Sequence, residues 1–264
     1  MKLRERILTS FIVLCLVLLY LGLSRTTYNT INISDEIKKV RSELKSNQEL
    51  VVFKSKNPFN FKDIIKNLDI VSDQDVYAII TYPEDDSKDR YPAIIGIAGS
   101  LGWAEHHLDY LKRYREVGIA TVQLHSFKSR NVSSTVGEQV SATIPMIVYD
   151  SYMLLSSLAN NSRIDKESIG ITGWSLGGGV ALFSGWKKIK DLISPDYEFA
   201  AHLPVYPPCI TNVDDLEFVK NPIYILMGEL DNWVPAEPCV EFIENLKIKG
   251  HNNADITVFP NSHH

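Results

Sequence analysis

The residues Gly173-Trp174-Ser175-Leu176-Gly177, with Gly178 and Gly179 behind them, follow the apolar run Ile169-Gly170-Ile171-Thr172 and precede a helical pattern. A serine flanked in this way at a strand-to-helix turn presents a nucleophile. The turn strains the serine backbone and exposes its hydroxyl, and bulk at either glycine collides with neighbouring backbone. The first N–H groups of the helix are aimed at developing negative charge. A serine hydroxyl is a weak nucleophile at neutral pH, so it needs a base and a third group that orients the base. In this kind of elbow the carboxylate follows the serine along the chain and the histidine comes last. Downstream, Ile223-Tyr224-Ile225-Leu226-Met227 runs into Gly228-Glu229-Leu230-Asp231. Asp231 stands in the loop beyond the strand and is preferred to Glu229, which follows the strand directly and has less reach. Among the seven histidines, His106, His107 and His125 precede the serine, His202 falls inside a strand pattern, and His251 lies ahead of the strand Ile256–Phe259. His263 and His264 follow that strand, and one of them is the expected base.

These residues need a sheet that brings strand ends together. Apolar, β-favouring runs alternate with helical spacing along most of the chain. Strands are expected at Val76–Tyr82, Ala93–Ala98, Ala120–Leu124, Ser168–Gly173, Ala200–Val205, Ile223–Met227 and Ile256–Phe259. Helices are expected at His107–Val117, Glu138–Ala159, Gly177–Lys187 and Pro238–Lys249. Such alternation requires right-handed crossovers and a mostly parallel sheet with helices on both faces, an α/β fold. Ligands of such sheets gather beyond the carboxyl ends of the strands. Trp103, Phe127, Arg130 and Trp233 follow strands at that edge and are candidates to line a substrate pocket, although packing is the more ordinary role of each.

Composition narrows the class further. With 27 Lys+Arg against 32 Asp+Glu in 264 residues the formal charge is −5, which offers no basic field for nucleic acid. Lys2, Arg4 and Arg6 precede the apolar run from Ile7 to Leu23, the layout of an export signal. The run is also nearly long enough to span a bilayer, so residues 1–24 are read as a cleaved signal peptide or a membrane anchor in contact with lipid through residues 7–23. Residues 25–70 are mixed and charged and are expected to be a stalk or lead-in, in which Glu49 to Lys54 has the pattern of an edge strand. Residues 71–264 then form one catalytic domain. In an oxidising compartment Cys209 and Cys239 make a disulfide possible: both fall at the same sheet edge, after consecutive strands.

Several segments together resemble the dienelactone hydrolase family of the α/β-hydrolase fold. They are Arg163-Ile164-Asp165 ahead of the elbow, Ser126-Phe127 with Arg130, Tyr206-Pro207-Pro208-Cys209, Gly228-Glu229-Leu230-Asp231 with Pro235, and Phe259-Pro260-Asn261-Ser262-His263-His264. The resemblance implies the fold, a hydrolase needing no metal or organic cofactor, and a base four residues after Pro260, which selects His264. It also implies an oxyanion hole built from the backbone N–H groups of Leu176 and of the loop after Ala98, at Ser100. Three departures accompany it. Ser175 stands where the family archetype has cysteine, Ala98-Gly99 stands where many relatives have His-Gly, and relatives continue through a further helix beyond the position of His264, so a truncated chain is expected. The resulting expectation is an exported serine hydrolase acting on a small-molecule ester or lactone through an acyl-enzyme. A prolyl-oligopeptidase-like peptidase and an inactive membrane-anchored binding protein of the same fold are the alternatives.

Overall fold

The computed structural model describes residues 33–85, 88–209 and 217–264. The apolar run from Ile7 to Leu23 lies outside them, and among the described residues no helix is long and apolar enough to cross a membrane. In chain order the elements are α1 (Ile33–Glu43), β1 (Gln48–Lys56), α2 (Phe61–Lys66), β2 (Asp73–Thr81), β3 (Tyr91–Ile97), α3 (Glu105–Glu116), β4 (Ala120–Leu124) and α4 (Ser126–Ser129). They continue with α5 (Ile144–Ala159), β5 (Ile164–Trp174), α6 (Leu176–Phe183), α7 (Lys187–Ile193), β6 (His202–Val205), β7 (Ile223–Gly228), α8 (Glu237–Ile248) and β8 (Ala254–Phe259).

Among the described residues these strands make one eight-stranded sheet in the order β1-β2-β4-β3-β5-β6-β7-β8. From β4 to β8 every neighbouring pair is parallel, while β1 and β2 are antiparallel to their neighbours. In β3, residues Ala93 to Ile97 are buried without interruption. A strand buried on successive residues has both faces covered, which is why the parallel strands read as continuous apolar runs rather than alternating ones. The expected α/β architecture is therefore the one observed.

Several boundaries differ from expectation; β5, for one, starts at Ile164 rather than Ser168. The segment read as lead-in already belongs to the sheet from Gln48, because β1 pairs with β2 along its whole length, from Gln48 opposite Thr81 to Lys56 opposite Asp73. The helix expected from Glu138 begins at Ile144. Glu138 spends its carboxylate on the backbone N–H groups of Val140 and Ser141, Gly137 and Gln139 have positive φ, and Thr143 caps Met146 N with Pro145 in the first turn. The helix expected over Gly177–Lys187 ends at Phe183. The chain then passes through Gly185 and Trp186, where Trp186 bridges to Phe218, before α7 starts.

Candidate active site

Ser175 sits between β5 and α6 with φ 55° and ψ −116°, a conformation that holds a non-glycine residue under strain. The flanking glycines are dictated by contact. A Cβ on Gly173 would lie 2.2 Å from the Gly177 carbonyl oxygen, and one on Gly177 would lie 2.3 Å from the Ile97 carbonyl oxygen. Two anchors hold the turn: Ser175 N–H donates to Val205 O, and Gly179 N–H donates back to Ser175 O.

Asp231 follows β7 and His264 follows β8, so both arrive at the same sheet edge as the serine. Ser175 Oγ donates to His264 Nε2 at 3.0 Å, and His264 Nδ1 donates to Asp231 Oδ2 at 2.7 Å. The Asp231 side chain is fully buried, and its second oxygen accepts the backbone N–H groups of Trp233 and Val234. Burial of a carboxylate is tolerated here because its lone pairs are occupied by three donors. Two rings flank His264: Tyr206 with its centroid 4.5 Å away and Trp233, stacked at 5.5 Å. Burial pushes the Tyr206 hydroxyl up to about 12, aided by Tyr110 and Asp231.

Ser175 and His264 line a cavity of about 500 Å³ together with Ser100, Leu176, Trp174 and Trp233, while the buried Asp231 stands behind His264. Leu176 is the first residue of α6, so its N–H has no partner in the helical ladder. Gly99 approaches closely enough that a Cβ there would lie 3.3 Å from Trp174 O, which brings the loop carrying Ser100 against the serine turn. A larger groove of about 890 Å³ lies away from this edge, against Lys45, Tyr82 and Arg115, and contains none of the three residues.

The pocket candidates divide. Trp233 lines the cavity. Trp103 and Phe127 do not: they line a separate hollow of about 280 Å³ that shares Leu101 and Gly102 with it, and Trp103 is tied to the Leu124 carbonyl through Nε1. Arg130 is corrected outright. Its guanidinium is buried in a bidentate ion pair with Asp150, at 2.7 and 2.9 Å, and also donates to Asn57 Oδ1 and to the Lys56 and Ser126 carbonyls, so it is a structural residue. Cys209 and Cys239 are joined in a disulfide with Cα atoms 5.0 Å apart, and Cys239 lies in the first turn of α8.

Tyr206, His106 and His107, none of them among the pocket candidates that the sequence offers, also line the cavity. Tyr206 directly follows β6, so the rule that places ligands beyond strand ends points to it. Chain order excludes the two histidines as the base and says nothing about the walls. His202 is a core residue as expected, its Nδ1 donating to the Ala181 carbonyl at 2.9 Å.

A strained serine on a β5–α6 elbow, joined to a histidine and a buried aspartate at one edge of a mostly parallel sheet, defines an α/β-hydrolase-type protein. The profile of the dienelactone hydrolase family matches residues 80–264, and the chain belongs to that family. Solved structures agree on the fold. Esterase 2 of Thermogutta terrifontis with propionate bound is 18% identical with a TM-score of 0.58, covering 83% of this chain and 85% of its own. Est1E of Butyrivibrio proteoclasticus with ferulic acid bound is 16% identical with a TM-score of 0.56, covering 72% and 88%. A Klebsiella pneumoniae protein assigned as a dienelactone hydrolase is 14% identical with a TM-score of 0.57, covering 82% and 88%. No curated protein matches the chain in sequence.

Proposed function

We propose that the protein is a serine hydrolase that cleaves a small carboxylic ester or lactone through an acyl-enzyme. The observation that carries this reading is the unbroken relay from Ser175 Oγ through His264 to buried Asp231. In the first half-reaction Ser175 Oγ attacks the carbonyl carbon while its proton passes to His264 Nε2. The tetrahedral oxyanion takes hydrogen bonds from the N–H groups of Leu176 and Ser100. Collapse expels the alcohol, which leaves with the proton held by His264. Water then repeats the sequence on the acyl-enzyme, releases the acid and restores Ser175. Asp231 holds the imidazole in the Nδ1–H tautomer and stabilises the imidazolium without itself taking the proton. The propionate and ferulic acid bound by two fold neighbours are carboxylic acids of the kind such a reaction releases.

Export belongs to the same proposal. It is supported by the basic and then apolar N-terminal residues and by a disulfide, a bond that persists in oxidising compartments. The test is incubation with a fluorophosphonate probe, together with hydrolysis of short- to long-chain p-nitrophenyl esters and of lactones by the wild type and by Ser175→Ala. Labelling and turnover in the wild type that both vanish in the folded variant support the assignment. An unlabelled wild type, or a fully active variant, overturns it. Fractionation of the producing cells tests export, and N-terminal sequencing distinguishes a cleaved signal from an anchor.

A further inference from the structure

One wall of the cavity is formed by the start of α3, a part of the molecule that contributes nothing to the serine–histidine–aspartate relay. The N–H of Ala104 donates to His107 Nδ1 at 3.1 Å, which occupies the lone pair of that nitrogen and leaves the proton of the neutral ring on Nε2. Burial, with His106 beside it, holds His107 down to about 4, so the ring is neutral at pH 7. Nε2 makes no hydrogen bond among the described residues, and His107 is one of the residues that line the cavity. The surroundings are flat and aromatic. The His107 ring lies 4.5 Å from Trp174, the residue preceding the serine, and 4.0 Å from His106, while Tyr206 and Trp233 line the cavity beside His264. Among the described residues that line it there is no Lys or Arg.

We propose that His107 sets substrate specificity here, its Nε2–H donating to an uncharged acceptor oxygen carried on an aromatic part of the ester. A neutral donor among apolar rings suits an ether, hydroxyl or carbonyl oxygen, and none of the described lining residues is a Lys or Arg that would compensate a second carboxylate. Planar walls suit a planar ring. The inference rests on the hydrolase reading for the nature of the ligand, and its test is a binding measurement, independent of turnover.

In a Ser175→Ala background, the probes are the methyl esters of 3- and 4-methoxybenzoic acid against those of 3- and 4-ethylbenzoic acid, which have the same shape without the acceptor oxygen. Binding is read from quenching of tryptophan fluorescence. The expected result is a preference of about 3- to 10-fold for a methoxy ester, the range of one neutral hydrogen bond. Two variants separate recognition from the helix cap. His107→Asn keeps an acceptor for Ala104 N–H and removes the distal donor, and is expected to abolish the preference. His107→Gln places an amide donor near the Nε2 position and is expected to retain it. Thermal melting confirms that both variants are folded. The proposal is overturned if the unsubstituted His107 protein shows no preference, if His107→Asn keeps it, or if both variants lose both kinds of ester equally. None of these results touches fluorophosphonate labelling of the protein with Ser175 intact, which reports on the hydrolase reading alone.

Discussion

Asp231 and His264 are 33 positions apart in sequence, and His264 Nδ1 donates to Asp231 Oδ2 across 2.7 Å. That single bond fixes which nitrogen of the imidazole faces Ser175. An amide at position 231 keeps nearly the same shape and reverses the preference, because its NH₂ group favours a lone pair on Nδ1. Asp231→Asn is therefore expected to lower kcat roughly 10⁴-fold with KM little changed and the fold intact. Steady-state kinetics and circular dichroism check it.

Glu229, the other carboxylate beyond β7, has a different task from Asp231. Its Oε2 accepts the N–H of Asn261, a residue at φ 56° in the turn that leads to His264. Leu230 N–H donates to Ser262 O in the same turn, and the chain crosses Gly228 so closely that a Cβ there would lie 2.5 Å from Ser262 O. Glu229 thus holds the turn that positions His264. Glu229→Ala is expected to lower kcat about 10- to 100-fold, the scale of a small misplacement of a reacting group, and to slow fluorophosphonate labelling in parallel. Glu229→Gln retains an oxygen for Asn261 N–H and is expected to recover most of the activity.

The elbow, Asp231 and His264 were readable because each is a local pattern at the end of a strand, and a parallel sheet brings such ends together whatever the loops between them do. The walls were less readable. His106 and His107 reach the cavity through the entry angle of α3, which no periodicity encodes. Arg130 follows a strand like a pocket residue, and its true role was marked elsewhere, by Asp150 standing inside the apolar run Ile147-Val148-Tyr149 to Leu154-Leu155. A carboxylate there requires a cation, and Arg130 is the one that serves it.

That pair yields a stability prediction. Asp150 is fully buried and also accepts from Ser55 and Ser126, so its network joins β1, the segment after β4 and α5. Removing one partner strands a buried charge. Arg130→Met is expected to cost about 3–5 kcal/mol in urea unfolding, whereas replacing Arg130 and Asp150 together by apolar residues should cost less than that. A single variant within 1 kcal/mol of the wild type would contradict this account.

Acid should weaken the fold through buried neutral histidines. Burial lowers His125 and His202 to about 4, from 6.5 in the unfolded chain. Their folded-state values are depressed, so the unfolded chain binds more protons than the folded one at any pH between the two. Their contribution is complete above about 6.5 and declines as pH falls toward 4. From pH 7 to pH 5 each is expected to remove about 2 kcal/mol from the unfolding free energy. Urea titrations at the two pH values measure the total, and His202→Gln should flatten the dependence by about one histidine's share.

The Cys209–Cys239 disulfide ties the segment after β6 to the first turn of α8, and it spans 30 positions. A closure of that length restricts the unfolded chain by roughly 3 kcal/mol. Its position also connects it to the cavity. Pro208, immediately before Cys209, lines the cavity, and Tyr206, two residues earlier, lies against His264. On the other side, α8 begins six positions after Asp231, so the bridge braces both loops that shape the site. Replacing both cysteines by alanine is expected to lower the unfolding free energy by roughly 3 kcal/mol and to raise KM more than it lowers kcat, since the serine turn itself is held by β5, α6 and the Val205 carbonyl of β6, all ahead of the bridged segment. Mild reduction of the wild type should reproduce the same kinetic change and reoxidation should reverse it. A reduced protein with unaltered stability and KM would show that packing alone holds Tyr206 and Pro208 in place.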